Sequence, residues 1–126
     1  MDWREKAFEN LAAAERLLPS DEKPERVALG NAAASRAYYA AYHAVATAAW
    51  SGGHRFTSDE YYRHDSLADD AVAWGVLDND QAADLLLLYE QRIKADYYEA
   101  HVTDDEAREG YDVAQDLVRA LLQGDA

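Results

Sequence analysis

No cysteine occurs among the 126 residues, which excludes a disulfide scaffold and thiolate chemistry and fits a reducing compartment. Glycine and proline are scarce, six and two, against twenty-six alanines, a balance that favours helix throughout. No run approaches the ~20 consecutive apolar residues of a membrane span. The opening Met1-Asp2-Trp3-Arg4-Glu5-Lys6 lacks the basic-then-apolar order of an export signal. Cations are few as well: twelve Lys and Arg against 25 Asp and Glu, a formal charge of −13. A polyanion such as RNA is repelled by that field at long range, so only a local basic patch would hold one. The expectation is a cytoplasmic protein, one domain over residues 1–126, with no membrane contact.

What the chain does contain is helical pattern. Trp3, Ala7, Leu11, Ala14 and Leu18 recur at helical spacing, predicting a helix from about Asp2 that stops before Pro19. A polar link to Pro24 precedes a long predicted helix from about Glu25 to Trp50, ended by Gly52-Gly53 and carrying Gly30 inside it as a close-packing point or a small destabilisation. Thr57-Ser58-Asp59-Glu60 has the capping-box pattern and opens a short, broken helical region reaching about Trp74. Asp78-Asn79 caps the next helix, which runs to about Tyr98. Its Leu85-Leu86-Leu87-Leu88-Tyr89 covers most of a helix circumference, which places this helix at the centre. Thr103-Asp104-Asp105-Glu106 is a second capping box and starts a last helix ending near Gly124. The expected fold is all-α, an up-and-down four-helix bundle with an additional short helix.

Two polar constellations stand out in this apolar pattern. Arg36 and His43 lie seven residues apart, two helical turns, on a stripe with Leu29, Ala32, Ala40, Thr47 and Trp50. Such a stripe faces the core, where a hydrated group costs free energy unless it finds a partner, so a carboxylate of the same chain or a ligand is expected to meet Arg36 and His43. The second constellation is Arg92-Ile93-Lys94-Ala95-Asp96-Tyr97-Tyr98. Its Arg92 and Asp96 are one turn apart and share a face with Leu85 and Leu88. Two readings stay open for it, a structural ion-pair cluster and a binding or catalytic one, with Asp96 within reach of Arg36 or His43 across the bundle. His54, His64 and His101 are scattered, and the Glu60–His64 pair one turn apart reads as a surface contact, so no metal and no cofactor is expected. The tyrosines, Tyr61 and Tyr62 among them, suit base stacking or packing with the hydroxyl at the rim.

Arg36-x-x-Tyr39 with Tyr42-His43-Ala44, followed by Leu88-Tyr89-x-x-Arg92-x-x-Ala95-Asp96-Tyr97, resembles the HEPN domain family of prokaryotes, over about Asp2 to Leu122. The resemblance implies an up-and-down helical bundle that dimerises. It also implies a nucleotidyltransferase partner in a toxin–antitoxin pair, and, in active relatives, RNA cleavage without a metal. The family's catalytic signature is an arginine, four to six residues, then a histidine, on the helix equivalent to the one bearing Arg92. Here the corresponding positions hold Tyr97, Tyr98 and Glu99, and His101 falls nine after Arg92. Arg36 and His43 match the spacing formally, on the other helix.

Two functions of different class follow as expectations. The first is a dimeric binding module in which Arg36, Tyr39, His43, Arg92 and Asp96 hold a nucleotide or phosphate ligand, working with the nucleotidyltransferase. The second is a metal-independent ribonuclease toxin whose composite site, at the dimer interface, draws on Arg92, Asp96 and Tyr97, or on Arg36 and His43. Attack by a ribose 2′-hydroxyl needs a base titrating near neutrality, which histidine supplies and tyrosine does not.

Overall fold

The structure, a computed structural model, describes residues 3–18, 29–56, 61–97 and 101–123, and the described residues are all-helical. Five helices follow one another: α1 (Arg4–Leu17), α2 (Gly30–Ser51), α3 (Leu67–Ala73), α4 (Asn79–Tyr97) and α5 (Asp104–Leu122). None of them is long and apolar enough to cross a membrane.

The centre of the molecule is α2, not the leucine-rich α4 expected from the sequence. Thirteen of the 22 residues of α2 are buried, against four of the nineteen in α4. The reason is side-chain size. Ala33, Ala34, Ala37, Ala40, Ala41 and Ala44 are all at most 1% exposed, and so small a surface lets α1, α4 and α5 approach α2 from different sides. Leu86, by contrast, is turned outward and 41% exposed. Gly30 marks the tightest approach: a Cβ built there would stand 2.5 Å from the Val102 carbonyl oxygen. Next to it, Asn31 pins the segment ahead of α5 to α2, accepting from the Val102 N–H at 2.8 Å and meeting His101 Nδ1 at 3.0 Å.

The stripe of α2 that carries Arg36 and His43 changes along the helix. Ala32 and Arg36 are exposed, His43 and Trp50 are half-buried, and Ala40 and Thr47 between them are buried. At Ala32 and Arg36 the stripe therefore does not face the core, and Arg36 lies at the surface, where solvation is available and no buried partner is required.

The helix ends follow local chemistry. Leu18 is extended (φ −66°, ψ 145°), as the residue before Pro19 should be. Gly53 and Gly75 carry φ of 89° and 75°, which close α2 and the turn after α3 at no Cβ cost. Asp78 and Gln81 exchange reciprocal bonds, Gln81 N–H to Asp78 Oδ1 at 2.7 Å and Asp78 N–H to Gln81 Oε1 at 3.0 Å, at the start of α4. At α5 the predicted box is present, with Thr103 Oγ1 accepting from Glu106 N–H and Glu106 Oε1 accepting from Thr103 N–H, both at 3.1 Å. Those bonds, with Lys94 at 3.1 Å, hold the Glu106 carboxyl below its ordinary range. Thr103→Ala is expected to cost about 1 kcal/mol, read as a lower urea midpoint at unchanged slope.

The Thr57–Glu60 box falls outside the described residues. The short helix read there appears only as α3, over Leu67–Ala73. The stretch just before it is held firmly. Tyr42 donates its hydroxyl to the Tyr62 carbonyl at 2.7 Å, and the buried Tyr62 donates to the His54 carbonyl. Trp3, Phe56 and Trp74 surround Tyr62 in edge and tilted ring contacts, and Trp50 packs on Trp3 and Phe56, with the Arg55 guanidinium 3.9 Å from the Trp50 centroid.

Candidate functional site

The 3.6-residue period of α4 puts Arg92 and Asp96 on one face, and they pair, Nε to Oδ2 at 3.1 Å. The contact is an ion pair rather than an aligned hydrogen bond. Asp96 is held from α2 as well, accepting from Ser35 Oγ at 2.9 Å. Arg92 Nη2 donates to the Tyr39 hydroxyl at 3.1 Å, so α2 and α4 are tied by two polar links one turn apart. Burial works against the charge on Arg92, but Tyr39, Asp96 and Tyr97 outweigh it and raise its pKa further. Nη1, the third arm of this fork, has no protein partner among the described residues.

Arg92 lines an open cleft of about 440 Å³ with Tyr61, Arg63, His64, Asp65 and Tyr89. The wall opposite α4 is the pinned stretch before α3. Arg63 reaches Asp65 through two bonds of 3.2 Å at a well-exposed position. Tyr61 is 51% exposed and offers its ring at the mouth. His64 sits deeper. Its Nδ1 is 2.6 Å from the hydroxyl of Tyr38, and its ring stacks on Tyr42 at 4.3 Å between centroids. Burial, then the charge of Arg92, holds His64 below its ordinary pKa. In a chain of net charge −13, two arginines, a histidine and two tyrosines converge with Asp65 on this one cleft.

The residues singled out from the sequence are distributed unevenly around this cleft. Arg92, Asp96 and Tyr39 are together. Tyr97 lies beyond them, 69% exposed, its ring centroid 5.8 Å from the Arg92 guanidinium carbon. His43 is set behind Tyr39, ring stacked at 6.3 Å, and is not in the cleft lining. Its Nδ1 is buried without a hydrogen-bond partner among the described residues, and burial first, then Lys6 and His64, push its pKa down to about 4. Arg36 turns toward α1 and donates to Asn10 Oδ1 at 3.3 Å, away from Arg92 and Asp96. The juxtaposition of Arg36 with Asp96 read from the sequence does not occur, because Ser35, one residue earlier, occupies the side of α2 that faces α4.

His64, Arg63 and Tyr89 escaped the sequence reading as site residues. The signal was Tyr61-Tyr62-Arg63-His64, where aromatic and basic residues interleave, a pattern suited to nucleotide contacts. No group of three or more His, Cys, Asp or Glu able to hold a metal occurs among the described residues. No family model matches this chain, and neither a curated protein nor a solved structure matches it.

Proposed function

We propose that this chain is a HEPN-like up-and-down four-helix bundle with α3 as its extra short element. Its cleft between α4 and residues 61–65 binds a phosphate-bearing ligand, a nucleotide in the first instance. The observation that carries the reading is Arg92, held charged by Asp96 and Tyr39, lining the cleft where Arg63, Tyr61 and Tyr89 converge. A phosphate would lie against the guanidinium in a charge-assisted contact, and a base would lie on a tyrosine face. Both arginines already have carboxylate neighbours, Asp65 and Asp96, so the phosphate competes for them and salt weakens the complex.

Binding is favoured over cleavage by the position of the other candidates. His43, the general base suggested by spacing, is off the cleft and held neutral, and Arg36 is on the α1 side. Calorimetric titration with adenosine 5′-monophosphate is expected to show one site. Arg92→Gln is expected to weaken it at least tenfold, about 1.4 kcal/mol, close to the lower end of what hydrogen bonds to charged groups contribute. Arg36→Gln should leave it unchanged. Equal affinity in the Arg92 variant would overturn the reading. Metal-free cleavage of a structured RNA that is lost on His43→Ala would replace it with the ribonuclease.

The resemblance also carries a second copy and a nucleotidyltransferase into the proposal as partners. Leu86, Ile93 and Tyr97 align along one side of α4, with Leu86 and Tyr97 exposed and Glu90 between Leu86 and Ile93, and give the pairing apolar contacts on either side of one carboxylate. Light scattering should report a dimer that Leu86→Glu dissociates. A monomer at high concentration would remove the second copy from the proposal.

A further inference from the structure

Tyr38 lies under the cleft, 1% exposed, with a hydroxyl that must donate somewhere. Its one hydrogen-bond partner among the described residues is His64 Nδ1, at 2.6 Å. Burial, with Tyr42 adding to it, holds Tyr38 far above the ordinary phenol range, so the group stays a phenol and keeps its hydrogen. A buried phenol beside a single imidazole nitrogen is satisfied when O–H points at the nitrogen lone pair. That nitrogen then carries no hydrogen, and the neutral ring carries its hydrogen on Nε2.

We propose that Tyr38 is a positioning residue that fixes His64 as its Nε2–H tautomer, making the histidine a hydrogen-bond donor to the ligand phosphate in the cleft. The inference rests on the phosphate-cleft reading above and deepens it. The groups facing the ring fit the role. On α2, Tyr39 meets it edge-on and Tyr42 stacks on it. Arg92 comes from α4, and Tyr61 and Asp65 from its own segment. Stacking and the Tyr38 bond together leave the ring little freedom to flip. A ring so held gives a hydrogen bond to an anion. In its neutral form it has no lone pair to offer the cleft, so it does not act as the base that 2′-hydroxyl attack requires.

Nitrogen-15 NMR of the histidine-labelled protein reads the tautomer without any ligand. The expected spectrum has His64 Nδ1 as the unprotonated nitrogen and Nε2 as the protonated one. In Tyr38→Phe, Nδ1 loses its donor and the two tautomers should mix, with adenosine 5′-monophosphate binding weakened about fivefold at pH 7.5. His64→Gln, which keeps a side-chain N–H donor, should retain more affinity than His64→Leu. An Nδ1–H ring in the unaltered protein overturns the proposal even if the nucleotide binds. So does a Tyr38→Phe protein, folded by circular dichroism, whose tautomer is unchanged. If the Nε2–H ring is found and the nucleotide does not bind, the phosphate-cleft reading falls, and the donor role with it, while the control of the tautomer by Tyr38 stands.

Discussion

Gly30→Ala should lower the stability of this protein by about 3 kcal/mol, although the same substitution stabilises most helices. In a helix interior, alanine exceeds glycine by up to about 1 kcal/mol. Here the added Cβ would sit 2.5 Å from the carbonyl oxygen of Val102, and no real Cβ tolerates a backbone atom so near. Either α2 or the segment leading into α5 must move. Movement breaks the 2.8 Å bond from Val102 N–H to Asn31, and overpacking of this kind costs about 1–3 kcal/mol before that loss is added. Gly110→Ala is the matched control. Its Cβ meets the amide oxygen of Gln91, a side-chain end rather than backbone, and moving it gives up one 3.2 Å bond from Gln91 Nε2 to the Glu106 carbonyl, about 1 kcal/mol that the helix preference for alanine offsets. That variant should be close to neutral. Urea midpoints of the two variants at unchanged slope make the comparison. Equal losses would mean that the approach of α2 to residues 101–103 is not the tight contact described.

Acidification from pH 7 to pH 4 should remove about 2 kcal/mol through His43, after discounting for the partial exposure of the ring. Folding takes the ring from its ordinary pKa of 6.5 down to about 4, chiefly because burial disfavours the charged form. Between those values the unfolded chain binds a proton that the folded chain refuses. Stability therefore rises with pH across this window, is complete above about 6.5, and has been lost by about 4. His64, also depressed by burial and by Arg92, adds a smaller fall of the same sign. Denaturation of the unaltered protein and of His43→Gln at pH 7 and pH 4.5 checks the assignment. Glutamine does not titrate, so the variant should lose less on acidification. Parallel losses would place the acid sensitivity elsewhere.

Helical content, the stop before Pro19, the glycine-closed end of α2 and the α5 capping box were legible because each depends on a few neighbouring residues. What the sequence misled on was polarity around α2. Alanine is equally at home inside and outside, so a helix with alanine on every side has no clear apolar stripe. The Arg36–His43 line reads as inward along its length, but only Ala40, Thr47 and the His43 ring are turned in, while its Arg36 end is open. The same ambiguity hid the centre of the molecule. Four consecutive leucines are the stronger hydrophobic signal, yet close approach is set by the smallness of Ala33, Ala37 and Ala41, not by the size of Leu85 or Leu88. Arg92 with Asp96 was legible from one turn of α4, and its tie to Tyr39 was not. His64 joins the site through a fold-dependent contact with Tyr38, 26 residues away, and no local spacing encodes that.

The most direct measurement is a titration of nitrogen-15-labelled protein with adenosine 5′-monophosphate, followed residue by residue by NMR. Shifts are expected at Arg92 Nε–H and at the amides of Tyr61, Arg63, His64 and Tyr89, the residues that line the cleft with Asp65. Arg36, which turns to α1, should stay where it is. Shifts centred on Arg36 and His43, or none at Arg92, would contradict the cleft as the place where this protein meets its ligand.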